Sequence, residues 1–184
     1  LDAVRGRYGG QNDVLLSDAE GHRRVVTFGT GADATTAIAT ADLDDDGDLD
    51  IAVGNWLERS AVYLNDGSGA FPPATPIAGG QPANELAAGD IDLDGDLDLV
   101  TAQRGGQGVL VRLNAGSGGF SETLPIATVR PSSLVMGDLN GDRYLDLIMG
   151  FFSAPLSVYL YRPEGGGSSW LGRRSGDRVP PGWR

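Results

Sequence analysis

Apolar and polar residues along this chain alternate with a period of two in short runs. The runs are broken by turns rich in Gly, Asp and Pro, and helix-type periodicity is poor. Between residues 36 and 78 the pattern predicts four strands: Thr36–Leu43, Leu49–Asn55, Ala61–Asn65 and Phe71–Ala78. The stretch "DLDDDGDLD" (42–50) joins the first strand to the second, and "DGSG" (66–69) makes the hairpin turn before the fourth. Prolines 72, 73 and 76 suit an edge strand, which can lack N–H donors on its open side.

The same unit recurs. "DIDLDGDLD" (90–98) and "DLNGDRYLD" (138–146) repeat the acidic stretch, and their last residues, Asp50, Asp98 and Asp146, are 48 residues apart. The flanks keep this phase: "LDAVRG", "LDIAVG", "LDLVTA" and "LDLIMG" begin at Leu1, Leu49, Leu97 and Leu145. A fixed period in this range, built from short strands, predicts stacked four-stranded antiparallel blades, an all-β partial β-propeller. The blades fall at about 1–31 (partial), 32–80, 81–128 and 129–163 (partial), with a propeller fragment over 1–163. The first should lack its first strand and the last its fourth. Residues 164–184, "EGGGSSWLGRRSGDRVPPGWR", show no alternation and are expected to be a Gly/Ser/Arg-rich tail or linker. The chain opens at Leu1 inside a repeat, so it reads as part of a longer propeller whose remaining blades are expected elsewhere in the parent chain. No signal peptide or membrane span is visible.

Charge changes this picture at one place. The chain has 184 residues, 14 basic and 25 acidic, for a formal charge of -11. That balance excludes a phosphate-binding footprint, and with it nucleic acid. There is no cysteine, so no disulfide braces the fold. The three acidic stretches hold six, five and three aspartates, 14 of the 25 carboxylates. Like charges at this density point to a cation among them.

Calcium takes six to eight oxygen ligands, and a nine-residue loop can offer side chains from positions 1, 3, 5 and 9 with the carbonyl of position 7. The first loop then presents Asp42, Asp44, Asp46 and Asp50 with the carbonyl of Asp48, turning at Gly47. The second presents Asp90, Asp92, Asp94 and Asp98 with the carbonyl of Asp96, turning at Gly95. The third presents Asp138, Asn140, Asp142 and Asp146 with the carbonyl of Tyr144, but Arg143 stands where the glycine should be. Two strong sites and one weaker are expected. An acidic, solvated face is the competing reading, but it does not explain why the five-ligand spacing repeats. An EF-hand is excluded because position 12 is Val53, Thr101 and Met149 in place of Glu, and the flanks are strands.

The blocks "ADLDDDGDLDIAVGN" and "GDIDLDGDLDLV" resemble the FG-GAP repeats of integrin alpha-chain propellers and, more closely, bacterial FG-GAP-like (VCBS) repeats. The resemblance covers roughly residues 1–163. It implies a calcium-stabilised propeller from a secreted or cell-surface protein. Arg143 departs from the pattern, and Asp2 stands as a ninth position whose loop lies before Leu1.

Catalytic chemistry has little support in the residues. His22, the only histidine, falls in a hairpin turn, and Glu20, Glu58, Glu85, Glu122 and Glu164 occupy unrelated loop positions. The expected function is non-catalytic binding or scaffolding of an extracellular protein or glycan ligand. The alternative is a propeller domain of a secreted carbohydrate-active enzyme, in which acids from different blades meet. A possible ligand face lies opposite the acidic loops. Tyr8, Trp56, Arg104 and Phe152 recur there at the 48-residue step, beside Arg59 and Phe151, and such residues anchor interfaces. The competing reading packs these rings between blades.

Overall fold

The computed structural model describes residues 2–77, 81–103, 108–127, 130–164 and 167–174. All regular structure in it is β-strand, so no helix among the described residues is long and apolar enough to cross a membrane. The first sheet holds β1 (Ala3–Arg5), β2 (Asn12–Ser17) and β3 (Arg23–Phe28). The second holds β4 (Thr35–Ala41), β5 (Asp50–Asn55), β6 (Ala61–Tyr63) and β7 (Thr75–Pro76). The third holds β8 (Ala83–Gly89), β9 (Asp98–Gln103), β10 (Gly108–Asn114) and β11 (Phe120–Ala127). The fourth holds β12 (Ser133–Gly137), β13 (Asp146–Gly150), β14 (Ser157–Glu164) and β15 (Gly167–Arg174). Each sheet is an antiparallel meander in sequence order, the arrangement of a propeller blade.

The second strands of the three later blades carry the core, whereas β1, their counterpart in the first blade, is largely exposed. β5 and β9 are buried along their whole length, because a blade in the middle of a stack is covered on both faces. Period-two alternation divides each strand between its neighbours. Ile51 and Val53 pack with Val14 and Phe28 of the first blade. Ala52, one residue out of phase, joins Val62, Leu86, Leu99 and Phe120 between the second and third blades. Val100 and Ala102 pack with Leu134, Leu147, Met149 and Tyr161 of the fourth. Each fully buried Ile, Leu or Val contributes about 1.5–3 kcal/mol, so most of the stabilisation lies between blades. A one-residue slip would present each set to the wrong neighbour.

Two strands differ from expectation. The fourth strand of the second blade, expected over Phe71–Ala78, is only Thr75–Pro76. Pro72, Pro73 and Pro76 cannot donate to a ladder, which leaves little backbone to pair. Its counterpart β11 runs for eight residues with a single proline, Pro125, where the register with β10 shifts. The second difference is β15, which pairs with β14 from Ser157↔Arg174 to Glu164↔Gly167, inside the segment expected to be a tail. The fourth blade therefore has four strands. β15 reads GSSWLGRR, and its two apolar residues, Trp170 and Leu171, are adjacent in sequence, so it gives no alternating hydrophobic signal although its backbone pairs.

Candidate metal sites

Each acidic loop joins the first strand of a blade to the second, and the ladder closes at the same place each time: Ala41↔Asp50, Gly89↔Asp98 and Gly137↔Asp146. The three ninth-position aspartates are fully buried. Asp50 accepts the N–H of Leu43 on Oδ2 and of Asn65 on Oδ1, both at 2.7 Å. Asp98 accepts Ile91 N at 2.9 Å and Asn114 N at 2.8 Å, and Asp146 accepts Leu139 N at 3.0 Å and Tyr161 N at 3.1 Å. These carboxylates staple the loop to the third strand. Sequence reasoning gave them only a metal role. Burial pushes all three above the usual carboxylate range, Asp98 up to about 6, while the backbone N–H groups pull the other way. Asp2 follows the same plan by half: Oδ1 accepts Ser17 N at 2.7 Å.

Loop tips are held by Asx-type bonds. Asp42 accepts Asp46 N at 3.2 Å and Gly47 N at 2.9 Å, and Asp46 accepts Asp48 N at 2.9 Å. In the second loop Asp90 accepts Gly95 N at 3.2 Å, Asp92 accepts Asp94 N at 3.3 Å and Asp94 accepts Asp96 N at 2.9 Å. Carboxylate oxygens of Asp42, Asp44 and Asp50 lie within 4.8 Å of one another, as do those of Asp90, Asp92 and Asp94. Asp46 falls outside the first trio and Asp98 outside the second. Within the trios Asp44 Oδ1 and Asp90 Oδ1 are buried with no hydrogen-bond partner. A carboxylate oxygen in that condition is costly unless a cation meets it. Burial, with the charge of a neighbouring aspartate, pushes Asp44 and Asp92 upward. These donors fit a hard cation.

The third loop differs. Asp138 accepts Gly141 N at 2.7 Å, Asp142 N at 3.2 Å and Arg143 N at 2.9 Å. These N–H groups, Arg143 first, hold its carboxyl below the usual range. Asn140 accepts Asp142 N at 2.8 Å and Asp142 accepts Tyr144 N at 3.0 Å. Among the described residues no trio of carboxylates forms here. Arg143 takes φ 78° and Gly141 φ 80°, whereas Asp45 (61°) and Leu93 (64°) hold the left-handed position four in the other loops, ahead of Gly47 and Gly95. Every loop thus has two left-handed residues, of which one is not glycine. The third loop exchanges which position is strained, so its turn is not harder to make than the others.

The FG-GAP-like repeat family model matches residues 42–101 and 90–149, which together span more than half of the chain. The chain belongs to the FG-GAP-like repeat family. No curated protein gives a significant match. Among solved structures, a chain of the crystal structure of BBS1N in complex with ARL6DN, soaked with lead, is similar with a TM-score of 0.50 at 12% identity. The match covers 96% of this chain and 55% of that one, so this chain spans about half its length, and the likeness concerns the fold.

In the FG-GAP-like blades the loops between second and third strands lie at the opposite end from the acidic loops. Tyr8 and Phe152 are exposed there, Phe152 almost completely at 99%. Arg59 is exposed and Trp56 half-buried. Phe151 packs against the core between the third and fourth blades, which removes it from an open face. Arg104 lies outside the described residues. Sequence reading missed Leu57, exposed beside Trp56, and the buried polar chain beneath this end, in which Asn12 donates to Thr35 Oγ1 and Thr35 to Asn55 Oδ1, both at 2.9 Å. His22 pairs with Asp18 at 3.0 Å in the exposed β2–β3 turn, grouped with Glu20.

Proposed function

We propose that this chain is a calcium-stabilised, extracellular FG-GAP repeat module that binds or scaffolds a protein or glycan ligand without catalysis. The observation that carries the reading is the pair of buried carboxylate oxygens without partners, Asp44 Oδ1 and Asp90 Oδ1, each inside a trio of aspartates. Asp42, Asp44 and Asp50 would hold one ion and Asp90, Asp92 and Asp94 another, with Asp46, Asp98 and the carbonyls of Asp48 and Asp96 nearby. A bound ion supplies positive charge that offsets repulsion and joins the loop to its blade. Asp138, Asn140, Asp142 and Asp146, with the Tyr144 carbonyl, form the weaker third site.

Extracellular calcium modules bind in the range of about 10⁻⁴–10⁻³ M, which suits a setting rich in calcium and a brace more than a sensor. The ligand face under this reading is the end carrying Tyr8, Trp56, Leu57, Arg59 and Phe152, since exposed aromatics and arginines serve as interface anchors.

Thermal melting with and without chelator tests the brace. At a free calcium of one hundred times Kd, each occupied site adds about 2.7 kcal/mol, so chelation should lower Tm by several degrees and calcium should restore it better than magnesium. An unchanged melting curve in excess chelator contradicts the reading.

A further inference from the structure

Within the acidic loops the carboxylates of Asp45, Asp48 and Asp96 stand outside every ligand set described so far, and two of them meet between blades. Asp45 is at position four of the first loop, and Asp96 at position seven of the second, where only the carbonyl is assigned to the loop's own ion. Both line a cavity of about 250 Å³ between the second and third blades, with Asp42, Leu43, Leu97 and Asn114.

Asn114 is 6% exposed. Its Nδ2 donates to Leu43 O at 2.7 Å and to Leu97 O at 3.1 Å, which fixes the amide, because a flip would set its oxygen against two carbonyls. Its Oδ1 is buried and has no hydrogen-bond partner. The corresponding Asn65 of the second blade has no such deficit, since its Oδ1 accepts Gly69 N at 3.1 Å. In the third blade the equivalent donor, Gly118 N, goes to Leu43 O of the neighbouring blade at 2.9 Å. A buried acceptor left bare beside a cavity lined by Asp42, Asp45 and Asp96 calls for a positive or donating partner.

The next interface along the stack makes the contrast. Between the third and fourth blades, positions four and seven are Leu93 and Tyr144. An apolar pair there replaces the two acids, and Tyr144 packs on Tyr161 with ring centres 5.4 Å apart.

We propose that this cavity binds a divalent cation, calcium, that ties the second blade to the third. The Asp45 and Asp96 carboxylates and Asn114 Oδ1 supply its protein oxygens, Asp42 stands at its edge, and water completes the shell. The site lies between loops and is additional to the ion inside each loop.

The test counts bound calcium at saturation by equilibrium dialysis and atomic emission on the full chain. The double variant Asp45→Asn/Asp96→Asn keeps side-chain shape and the Asp96 carbonyl, and Asn tolerates the left-handed backbone of position 45. It should bind one ion fewer than the wild type. Asp48→Asn, which removes one charge at the position of the first loop equivalent to Asp96, should lose none. Should the double variant fail to fold, Asp45→Asn alone, at an exposed position, should weaken one site at least tenfold. Equal stoichiometry and affinity in wild type and variants overturns the inter-blade site even if the loops bind calcium. Loss of the chain's last remaining ion in the double variant supports this site and contradicts the loop sites instead.

Discussion

In the first two acidic loops Asp44 and Asp90 each keep one buried oxygen without a partner, inside trios of carboxylates that meet within 4.8 Å. In the third, Asp138 takes three backbone N–H bonds, and no trio forms among the described residues. All three loops share a ladder register, a buried ninth aspartate and two left-handed residues. The difference shows that one backbone can close a turn in two ways. The loop's own N–H groups meet Asp138 with three bonds against two for Asp42 and one for Asp90, and under the proposed reading the oxygens left bare in the first two loops are met by a cation. Carboxylate number alone does not separate these cases, since the third loop still has three.

The largest expected effect separates ion from staple. Asp44→Ala and Asp92→Ala should each remove one bound calcium and about 2.7 kcal/mol of stabilisation at a free calcium of one hundred times Kd, with little change in chelator. Asn140→Ala should change calcium-dependent stability far less. Calcium titration followed by chemical denaturation reads both, and equal losses from all three would erase the contrast. Asp98→Asn comes next. Its amide cannot accept on both sides, so the N–H of Ile91 or Asn114 is left buried without a partner, at about 1–3 kcal/mol. That loss should persist in chelator, and a loss seen only with calcium would make Asp98 a ligand and not a staple.

The contrast also predicts pH behaviour. Asp98 titrates at about 6 in the folded chain, above an ordinary carboxylate near 3.9, so the metal-free folded state holds its proton more tightly than the unfolded state. Stability from this group is therefore full below about pH 4 and is lost as pH rises through about 6. Asp44, Asp50, Asp92 and Asp146 are shifted the same way. Asp138 is shifted down, so its contribution is present at neutral pH and is lost as pH falls into the acid range. Denaturant midpoints in chelator should fall between pH 4 and 6, and Asp98→Asn should flatten that fall. Midpoints that rise over the same interval would contradict it.

The smallest effect concerns the strained residues. Arg143→Gly and Leu93→Gly each relieve a left-handed backbone worth about 1–2 kcal/mol, partly offset by about 0.4–1 kcal/mol of added unfolded-state entropy. Both should stabilise by less than about 1.5 kcal/mol in thermal melts. If Arg143→Gly alone stabilised the chain, the third loop's turn would be the harder one to make after all.

Much of the fold was legible because it repeats. The 48-residue step from Asp50 to Asp98 to Asp146 located the second strands, and apolar runs such as Ile51–Val53 located the core. β7 and β15 were not legible, since prolines erase a ladder that alternation implies, and Gly and Ser carry a ladder that alternation does not show. At the site, spacing identified which aspartates share a loop. It could not tell that Asp50, Asp98 and Asp146 face backbone donors, or that Asp45 and Asp96 meet a neighbouring blade. Those assignments depend on how blades stack. A sequence signal existed for one of them: the Leu-Asn pair, just past β6 at Asn65 and closing β10 at Asn114, marks the partner of the ninth aspartate.

Calcium occupancy, read loop by loop from anomalous difference density in crystals grown across a calcium series, tests the central claim most directly. Density should appear first among Asp42, Asp44 and Asp50 and among Asp90, Asp92 and Asp94, and last or not at all beside Asp138. Density that fills the third loop as early as the other two, or that is absent from the first two at saturating calcium, contradicts the account.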